Sequence, residues 1–264
     1  MVAAQKSDRA LTTLNNIKAL WQAGKAALGA IVTMPSPQVM QVLARSGFDA
    51  LLIDMEHGVI DLPSAHAMIL ATAGTAAVPL ARIAANVPWL AKPLLDAGAL
   101  GINVPMVCNR ADAEAAAKAV RYPPVGERMW GPFYAPLRWD MPMADYMRAA
   151  NADVLSLITI EHTSAIEKID EIVSAPGVDV AIIGPGDLAT SLGLYGQLNH
   201  PDFAAAIAVA ERAILRSPVA LGGVAYSPEQ ANRMITAGYR MVFLGFDWSL
   251  LQKGAAAAMN GITR

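Results

Sequence analysis

The sequence lacks the features that mark several common classes of protein. It has one cysteine, Cys108, among 264 residues, which excludes an intramolecular disulfide and a zinc site built from several cysteines. Charged residues make up only 16% of the chain and form no basic block, so we expect no nucleic-acid-binding face. Charged residues and prolines interrupt the apolar runs well before the roughly 18 residues of a membrane span. Neither nucleic acid nor membrane is therefore an expected partner.

Residues 1–25 lack the apolar core of a secretory signal, because charges are scattered through them. A cytoplasmic location is the prediction that follows. Hydrophobic residues, in contrast, make up 55% of the chain. That content predicts a large core and apolar contacts between subunits, and hence a homo-oligomer.

A short apolar run, a turn and an alanine-rich helical stretch recur along the chain. The eight apolar runs are residues 27–33, 50–54, 78–83, 101–107, 154–160, 178–183, 219–225 and 241–245. Eight strands alternating with helices in about 250 residues predict an α/β fold, the (β/α)8 TIM barrel, as a single domain over residues 1–264. No G-x-G-x-x-G follows the first run, which argues against a Rossmann fold.

Three segments lie outside this repeat. Apolar residues at helical spacing predict an extra N-terminal helix over about residues 7–24. Residues 122–151, rich in proline and aromatic residues, read as a long loop after the fourth strand that serves as a lid or a subunit contact. Residues 247–259 predict a final alanine-rich helix.

Titratable residues gather where the predicted strands end. Asp54, Glu56 and His57 follow the second run, and Arg82 lies in the third. Catalytic groups of barrel enzymes lie at these carboxyl ends, and buried charges are costly unless they are paired. Arg82 therefore needs an anionic partner, such as a substrate carboxylate or an enolate oxygen. His57 fits a metal ligand, a general base or a buried hydrogen-bonded histidine, and Asp54 is placed to orient its ring.

Two further carboxylates, Glu161 and Asp187, follow the fifth and sixth runs. Either alone would read as a solvated loop acid, but at matching barrel positions they favour a divalent metal with hard oxygen ligands, Mg²⁺ or Mn²⁺. The glycines of the Gly184-Pro185-Gly186 turn would let backbone N–H groups approach an anion.

Several motifs together resemble the class II pyruvate aldolases of the HpcH/HpaI type, the 4-hydroxy-2-oxoheptanedioate aldolases. The similar segments are residues 51–58 (LLIDMEHG), 78–82 (VPLAR), 95–99 (LDAGA), 122–128 (YPPVGER), 160–161 (IE), 183–188 (IGPGDL) and 244–247 (LGFD). The resemblance runs from about Leu28 to Leu251, in order.

The resemblance implies an aldolase that reversibly cleaves 4-hydroxy-2-oxo acids to pyruvate, or a related 2-oxo acid such as hydroxypyruvate, and an aldehyde. It implies a divalent metal (Mg²⁺ or Mn²⁺, with Co²⁺ possible), no organic cofactor, and a hexamer whose last helix is exchanged between subunits. The residues it implies are Glu161 and Asp187 for the metal, His57 with Asp54 as acid/base, Arg82 for the enolate, Asp96 reaching a neighbouring subunit's site, the Gly186 and Asp187 amides for the pyruvate carboxylate, and Val224 and Trp130 as substrate contacts.

Two other functions are compatible with this pattern. One is a CoA-ester lyase of the citrate-lyase β-subunit type, or a decarboxylating relative, although a basic groove for nucleotide phosphates is missing from the sequence. The other is a non-catalytic small-molecule-binding oligomer, which the joint presence of the acidic and basic groups disfavours. The chain departs from the family at Met129, where a second glycine is usual, so the resemblance defines the enolate chemistry and not the aldehyde.

Overall fold

The eight apolar runs form a closed parallel barrel in the computed structural model, which describes residues 15–263. The strands pair in chain order, and the last one closes the barrel against the first. Their bounds are β1 Ala27–Val32, β2 Ala50–Asp54, β3 Val78–Arg82, β4 Gly101–Val104, β5 Leu155–Ile160, β6 Val180–Ile183, β7 Ala220–Val224 and β8 Met241–Phe246. The predicted TIM barrel is confirmed.

Helices cover the outside of the barrel and begin at residues suited to cap them. Ser36, Asp61, Asn109 and Ser227, for example, each accept a hydrogen bond from a backbone N–H of the first turn. The helices are α1 Asn16–Gln22, α2 Pro37–Leu43, α3 Leu62–Ala71, α4 Pro88–Ala97, α5 Arg110–Ala119, α6 Ala135–Arg138, α7 Met143–Asp153, α8 Thr163–Glu167, α9 Ile169–Val173, α10 Pro185–Ser191, α11 Pro201–Leu215, α12 Pro228–Thr236 and α13 Asp247–Met259. Within residues 15–263, none of them is long and apolar enough to cross a membrane.

The segments outside the repeat differ in part from their predicted form. The N-terminal helix is α1, and residues 7–14 of its predicted span lie outside the described residues. Residues 122–151 are not a continuous loop, because α6 and most of α7 lie within them. The final helix is present as α13, with Asp247 its only buried residue. Exchange of this helix between subunits stays a prediction.

Candidate active site

A cavity of about 370 Å³ opens at the carboxyl ends of the strands. Asp54 and Arg82 enter it from the ends of β2 and β3, Glu161 from just after β5, and Asp187 from the first turn of α10. His57, on the turn after β2, lies at the same wall. The barrel thus brings together five of the side chains that the sequence singles out.

Asp54 and Arg82 form a buried two-pronged ion pair. Arg82 Nε donates to Asp54 Oδ1 at 2.9 Å, and Arg82 Nη2 donates to Oδ2 at 2.6 Å. Asp54 Oδ1 also accepts from the backbone N–H groups of Glu56 and His57. Burial raises the pKa of Asp54, but these hydrogen bonds and the guanidinium charge outweigh it and hold the pKa below its ordinary value.

Among the described residues, no hydrogen bond joins the Asp54 carboxylate to the His57 ring, so orientation of the ring by Asp54 stays a prediction. The Asp54 carboxylate is occupied by Arg82 and by backbone N–H groups, and the imidazole instead has Glu56 as its neighbour, with His57 Nε2 3.7 Å from Glu56 Oε2. The His57 side chain is 59% exposed, so its ring stands at the mouth of the cavity.

Glu56, which the sequence places at the end of the second run without a role, belongs to the same network. Arg82 Nη1 lies 3.2 Å from Glu56 Oε2, so one guanidinium faces two carboxylates, Asp54 and Glu56. Burial raises the pKa of Glu56, and the charges of Arg82 and His57 oppose that rise. Its position between Asp54 and His57 in the sequence was the signal that could have assigned Glu56 to the site.

Glu161 is the most perturbed acid of the cavity. It is 3% exposed, and burial, opposed by the Met106 N–H and assisted by the nearby Glu56 and Asp187 charges, raises its pKa to about 7. The Met106 N–H donates to Glu161 Oε1 at 2.6 Å from a residue with φ +53, a strained conformation of the kind found at functional sites. The Arg82 charge also opposes the rise in the Glu161 pKa, but it is the smallest of these contributions.

The Glu161 and Asp187 carboxylates fit a divalent cation. Both line the cavity, and Arg82, the nearby cation, is paired with Asp54 and Glu56. Gly184 leaves room for Glu161, since a Cβ at position 184 would meet Glu161 Oε2 at 3.1 Å. Across residues 15–263, no group of three or more His, Cys, Asp and Glu residues is arranged to hold a metal. Two carboxylates leave coordination positions for water and substrate, as Mg²⁺ and Mn²⁺ require.

The turn before Asp187 offers backbone donors to the same cavity. Gly184, Pro185 and Gly186 line it and begin α10, where the first N–H groups of a helix have no partner within the helix. A Cβ on Gly186 would meet nothing within 4 Å, so the space beside this residue is open. Val224, from the end of the neighbouring strand β7, also lines the cavity.

Asp96 and Trp130 do not reach the cavity of their own chain. Asp96 Oδ1 accepts from Nη2 of the buried Arg128 at 2.8 Å, and Arg128 lies over the Tyr122 ring. Trp130 is 61% exposed and packs edge-on against Phe133. The predicted substrate contact of Trp130 is therefore absent within one chain, and a role for Asp96 in a neighbouring subunit stays a prediction.

Other residues complete the cavity without having been predicted. Asn103 and Thr159, joined by a 3.1 Å hydrogen bond, form a polar part of its floor. Tyr226, Phe246 and Trp248 form an aromatic side at the ends of β7 and β8. Asn103 and Thr159 lie within β4 and β5, Phe246 ends β8, and Tyr226 and Trp248 follow β7 and β8. All five are at or near the strand ends that the barrel rule marks, but none is an acid, a base or a histidine that would draw attention to it.

Comparison with known proteins agrees with this geometry. Residues 29–253 match the family model described as HpcH/HpaI aldolase/citrate lyase. The chain is 36% identical to the 4-hydroxy-2-oxo-heptane-1,7-dioate aldolase of Klebsiella pneumoniae, over 92% of each chain. It is 35% identical to the hydroxypyruvate/pyruvate aldolase of Cupriavidus necator, over 91% of this chain and 90% of that one.

Solved structures give the same result. A crystal structure of an HpcH/HpaI aldolase/citrate lyase family protein from Burkholderia cenocepacia superposes with a TM-score of 0.85 and 31% identity, over 93% of this chain and 98% of that one. The predicted aldolase is confirmed in preference to a CoA-ester lyase or a non-catalytic binder. This chain belongs to the HpcH/HpaI aldolase/citrate lyase family.

Proposed function

We propose that this aldolase is metal-dependent and interconverts 4-hydroxy-2-oxo acids with pyruvate, or a related 2-oxo acid such as hydroxypyruvate, and an aldehyde. The observation that carries the proposal is the juxtaposition, in one cavity, of the Glu161 and Asp187 carboxylates with the Arg82 guanidinium. Both charges that an enolate requires, a divalent cation and a fixed guanidinium, have a place there.

Glu161 and Asp187 would hold the divalent cation, Mg²⁺ or Mn²⁺ with Co²⁺ as a further candidate. When bound, the cation draws electron density from the 2-oxo acid and stabilises negative charge on its keto oxygen. Arg82 supplies a second positive charge. Its position is fixed, because Asp54 accepts hydrogen bonds from two of its nitrogens and Glu56 lies 3.2 Å from the third. The unpaired N–H groups of Gly186 and Asp187 are placed to receive the substrate carboxylate.

In the cleavage direction, His57 removes the proton of the C4 hydroxyl. The C3–C4 bond then breaks, the C4 oxygen becomes the carbonyl of the released aldehyde, and the electron pair of the broken bond passes into the pyruvate enolate. The enolate then takes a proton from water at C3 to give pyruvate, and His57 releases the hydroxyl proton to solvent. The exposed His57 ring at the cavity mouth suits this task, because it can reach both the substrate and solvent.

We propose that the enzyme is a cytoplasmic homo-oligomer. The resemblance to the family makes a hexamer the expected form. The exposed apolar side chains of α13, such as Leu251 and Met259, and of residues 129–137, such as Trp130 and Leu137, support an interface between subunits. Light scattering coupled to gel filtration measures the assembly directly.

The first test is pyruvate release from a racemic 4-hydroxy-2-oxo acid, measured with added Mn²⁺ or Mg²⁺ and again with EDTA. We expect release only with metal, and a loss of more than about 100-fold in Glu161→Gln and Asp187→Asn with unchanged circular dichroism. Glu167→Gln, an exposed acid on α8, is the matched control and should retain full activity. Full activity of Glu161→Gln or Asp187→Asn would contradict the assignment of the metal ligands.

A further inference from the structure

The cavity has an aromatic side whose purpose the proposed enolate chemistry does not explain. Phe246 ends β8, Trp248 lies in the first turn of α13, and Tyr226 follows β7. The Phe246 and Trp248 rings lie 6.1 Å apart with their planes 22° from parallel. Trp248 is 49% and Tyr226 47% exposed, so aromatic faces are available at the cavity mouth.

Hydrogen bonds hold this aromatic side in place. Asp247, between Phe246 and Trp248, is 3% exposed, and its Oδ2 accepts from the N–H groups of Thr33 and Met34 at 3.0 and 2.9 Å. Its Oδ1 accepts from Thr33 Oγ1 at 2.8 Å. A buried carboxylate therefore fixes the start of α13 to the end of β1, and the rings are positioned before any substrate arrives.

The charges of the cavity bear on which substrates the aromatic side can accept. Within residues 15–263, Arg82 is the only arginine or lysine that lines the cavity, and Asp54 and Glu56 occupy its nitrogens. Asp54, Glu161 and Asp187 make the remaining charges negative. The divalent cation of the proposed function would be taken up by Glu161, Asp187 and the 2-oxo acid, so a substrate with an acidic group far from the reacting carbons would find no free cation beside the aromatic side.

We propose that the aromatic side is the aldehyde subsite and that it selects uncharged aromatic aldehydes. This inference rests on the proposed function, because it assigns the second substrate of the same reaction. The aldehyde ring would lie against Trp248 and Phe246, with its carbonyl carbon toward the enolate carbon and its oxygen toward His57, on the other wall of the cavity. Ring stacking of this kind favours a planar apolar ligand over an aliphatic one of similar reactivity.

The test compares aldehydes in the synthesis direction, with pyruvate as the donor. Benzaldehyde and 4-carboxybenzaldehyde differ only in the distant charge, and we expect kcat/KM to be at least about tenfold higher for benzaldehyde. Benzaldehyde and acetaldehyde differ in the ring, and Trp248→Ala should reduce the ratio of their kcat/KM values by about tenfold. Trp248→Phe should restore most of that ratio. Tyr195→Ala, which removes a largely exposed aromatic residue outside the cavity, should leave it unchanged.

Two results would overturn the inference while leaving the proposed function intact. One is equal or better use of 4-carboxybenzaldehyde, and the other is an unchanged benzaldehyde-to-acetaldehyde ratio in Trp248→Ala. Both count only if the wild-type enzyme exchanges the methyl protons of pyruvate with D₂O, a reaction that needs no aldehyde. Absence of that exchange would overturn the proposed function itself, and this inference with it.

Discussion

At the scale of single residues, the site is defined by an imbalance of charge. Asp54, Glu56, Glu161 and Asp187 lie around the Arg82 guanidinium, which donates two hydrogen bonds to Asp54 and lies 3.2 Å from Glu56. Asp54 therefore positions Arg82, whereas Glu161 and Asp187 are left with negative charge that a divalent cation can neutralise. The sequence identified these side chains but could not show which acid would form an ion pair with Arg82.

The Asp54–Arg82 pair makes the stability of the fold depend on pH. The pKa of Asp54 is lowered on folding, so its ionised form contributes stability above its ordinary value of 3.8, and that contribution is lost as the pH falls through the lower folded pKa. We expect Asp54→Asn to reduce the free energy of unfolding by about 3 kcal/mol at pH 7, because Arg82 loses its buried partner. The difference from wild type should shrink once the pH falls below 3.8.

Urea unfolding at several pH values measures this effect. The control is Asp170→Asn, which removes one member of an exposed pair with Arg216 and should cost less than about 1 kcal/mol. An Asp54→Asn penalty that stays constant from pH 7 down to the acid range would show that the carboxylate charge is not the source of the stabilisation.

His57 should act in proton transfer and not in binding. We expect His57→Ala to lower kcat by about 10²–10⁴-fold with little change in KM, since a general acid/base contributes mainly to the transition state. Steady-state kinetics on the 4-hydroxy-2-oxo acid separates the two constants. His66→Ala, a helical histidine that contacts the Tyr134 ring, is the control. A rise in KM at constant kcat would reassign His57 to substrate binding.

At the scale of elements, the barrel positions the charged residues of the cavity. The segment between β4 and β5 packs against the outside of the barrel. The carboxyl ends of β2, β3 and β5 and the start of α10 carry the acids and Arg82, as the barrel rule predicts. Residues 122–153 instead pack through Arg128, which is 1% exposed and is held by Asp96 of α4 and by the Tyr146 hydroxyl of α7. Sequence spacing cannot reveal such a contact between distant segments.

This contact gives Asp96 a structural role that can be measured. We expect Asp96→Asn to reduce the free energy of unfolding by about 3 kcal/mol, because it leaves the buried Arg128 charge without its partner. Thermal unfolding checks this result, with Asp145→Asn as the control, an acid paired with Arg148 at a more exposed site. Unchanged stability together with a large loss of kcat would instead place Asp96 in the chemistry, as its predicted reach into a neighbouring subunit requires.

At the scale of the whole molecule, the fold was predictable and part of the site was not. Eight apolar runs with intervening helical stretches sufficed for the closed barrel, because the alternation itself defines the architecture. The acids proposed to bind the metal, Glu161 and Asp187, could be found in the sequence because they follow predicted strands. The pairing of Asp54 with Arg82 could not be predicted from the sequence, since side-chain pairing depends on distance in the folded structure. The aromatic side formed by Phe246 and Trp248 could not be predicted either, because in the sequence these residues look like ordinary core positions.

The central claim is that this cavity generates the enolate of pyruvate with the help of a divalent cation. The most direct measurement is exchange of the pyruvate methyl protons with D₂O, followed by NMR, with Mn²⁺ or Mg²⁺ present and again with excess EDTA. We predict exchange that requires both enzyme and metal and that is lost in Glu161→Gln. Metal-independent exchange would contradict the role of the cation, and no exchange under either condition would show that pyruvate is not the donor.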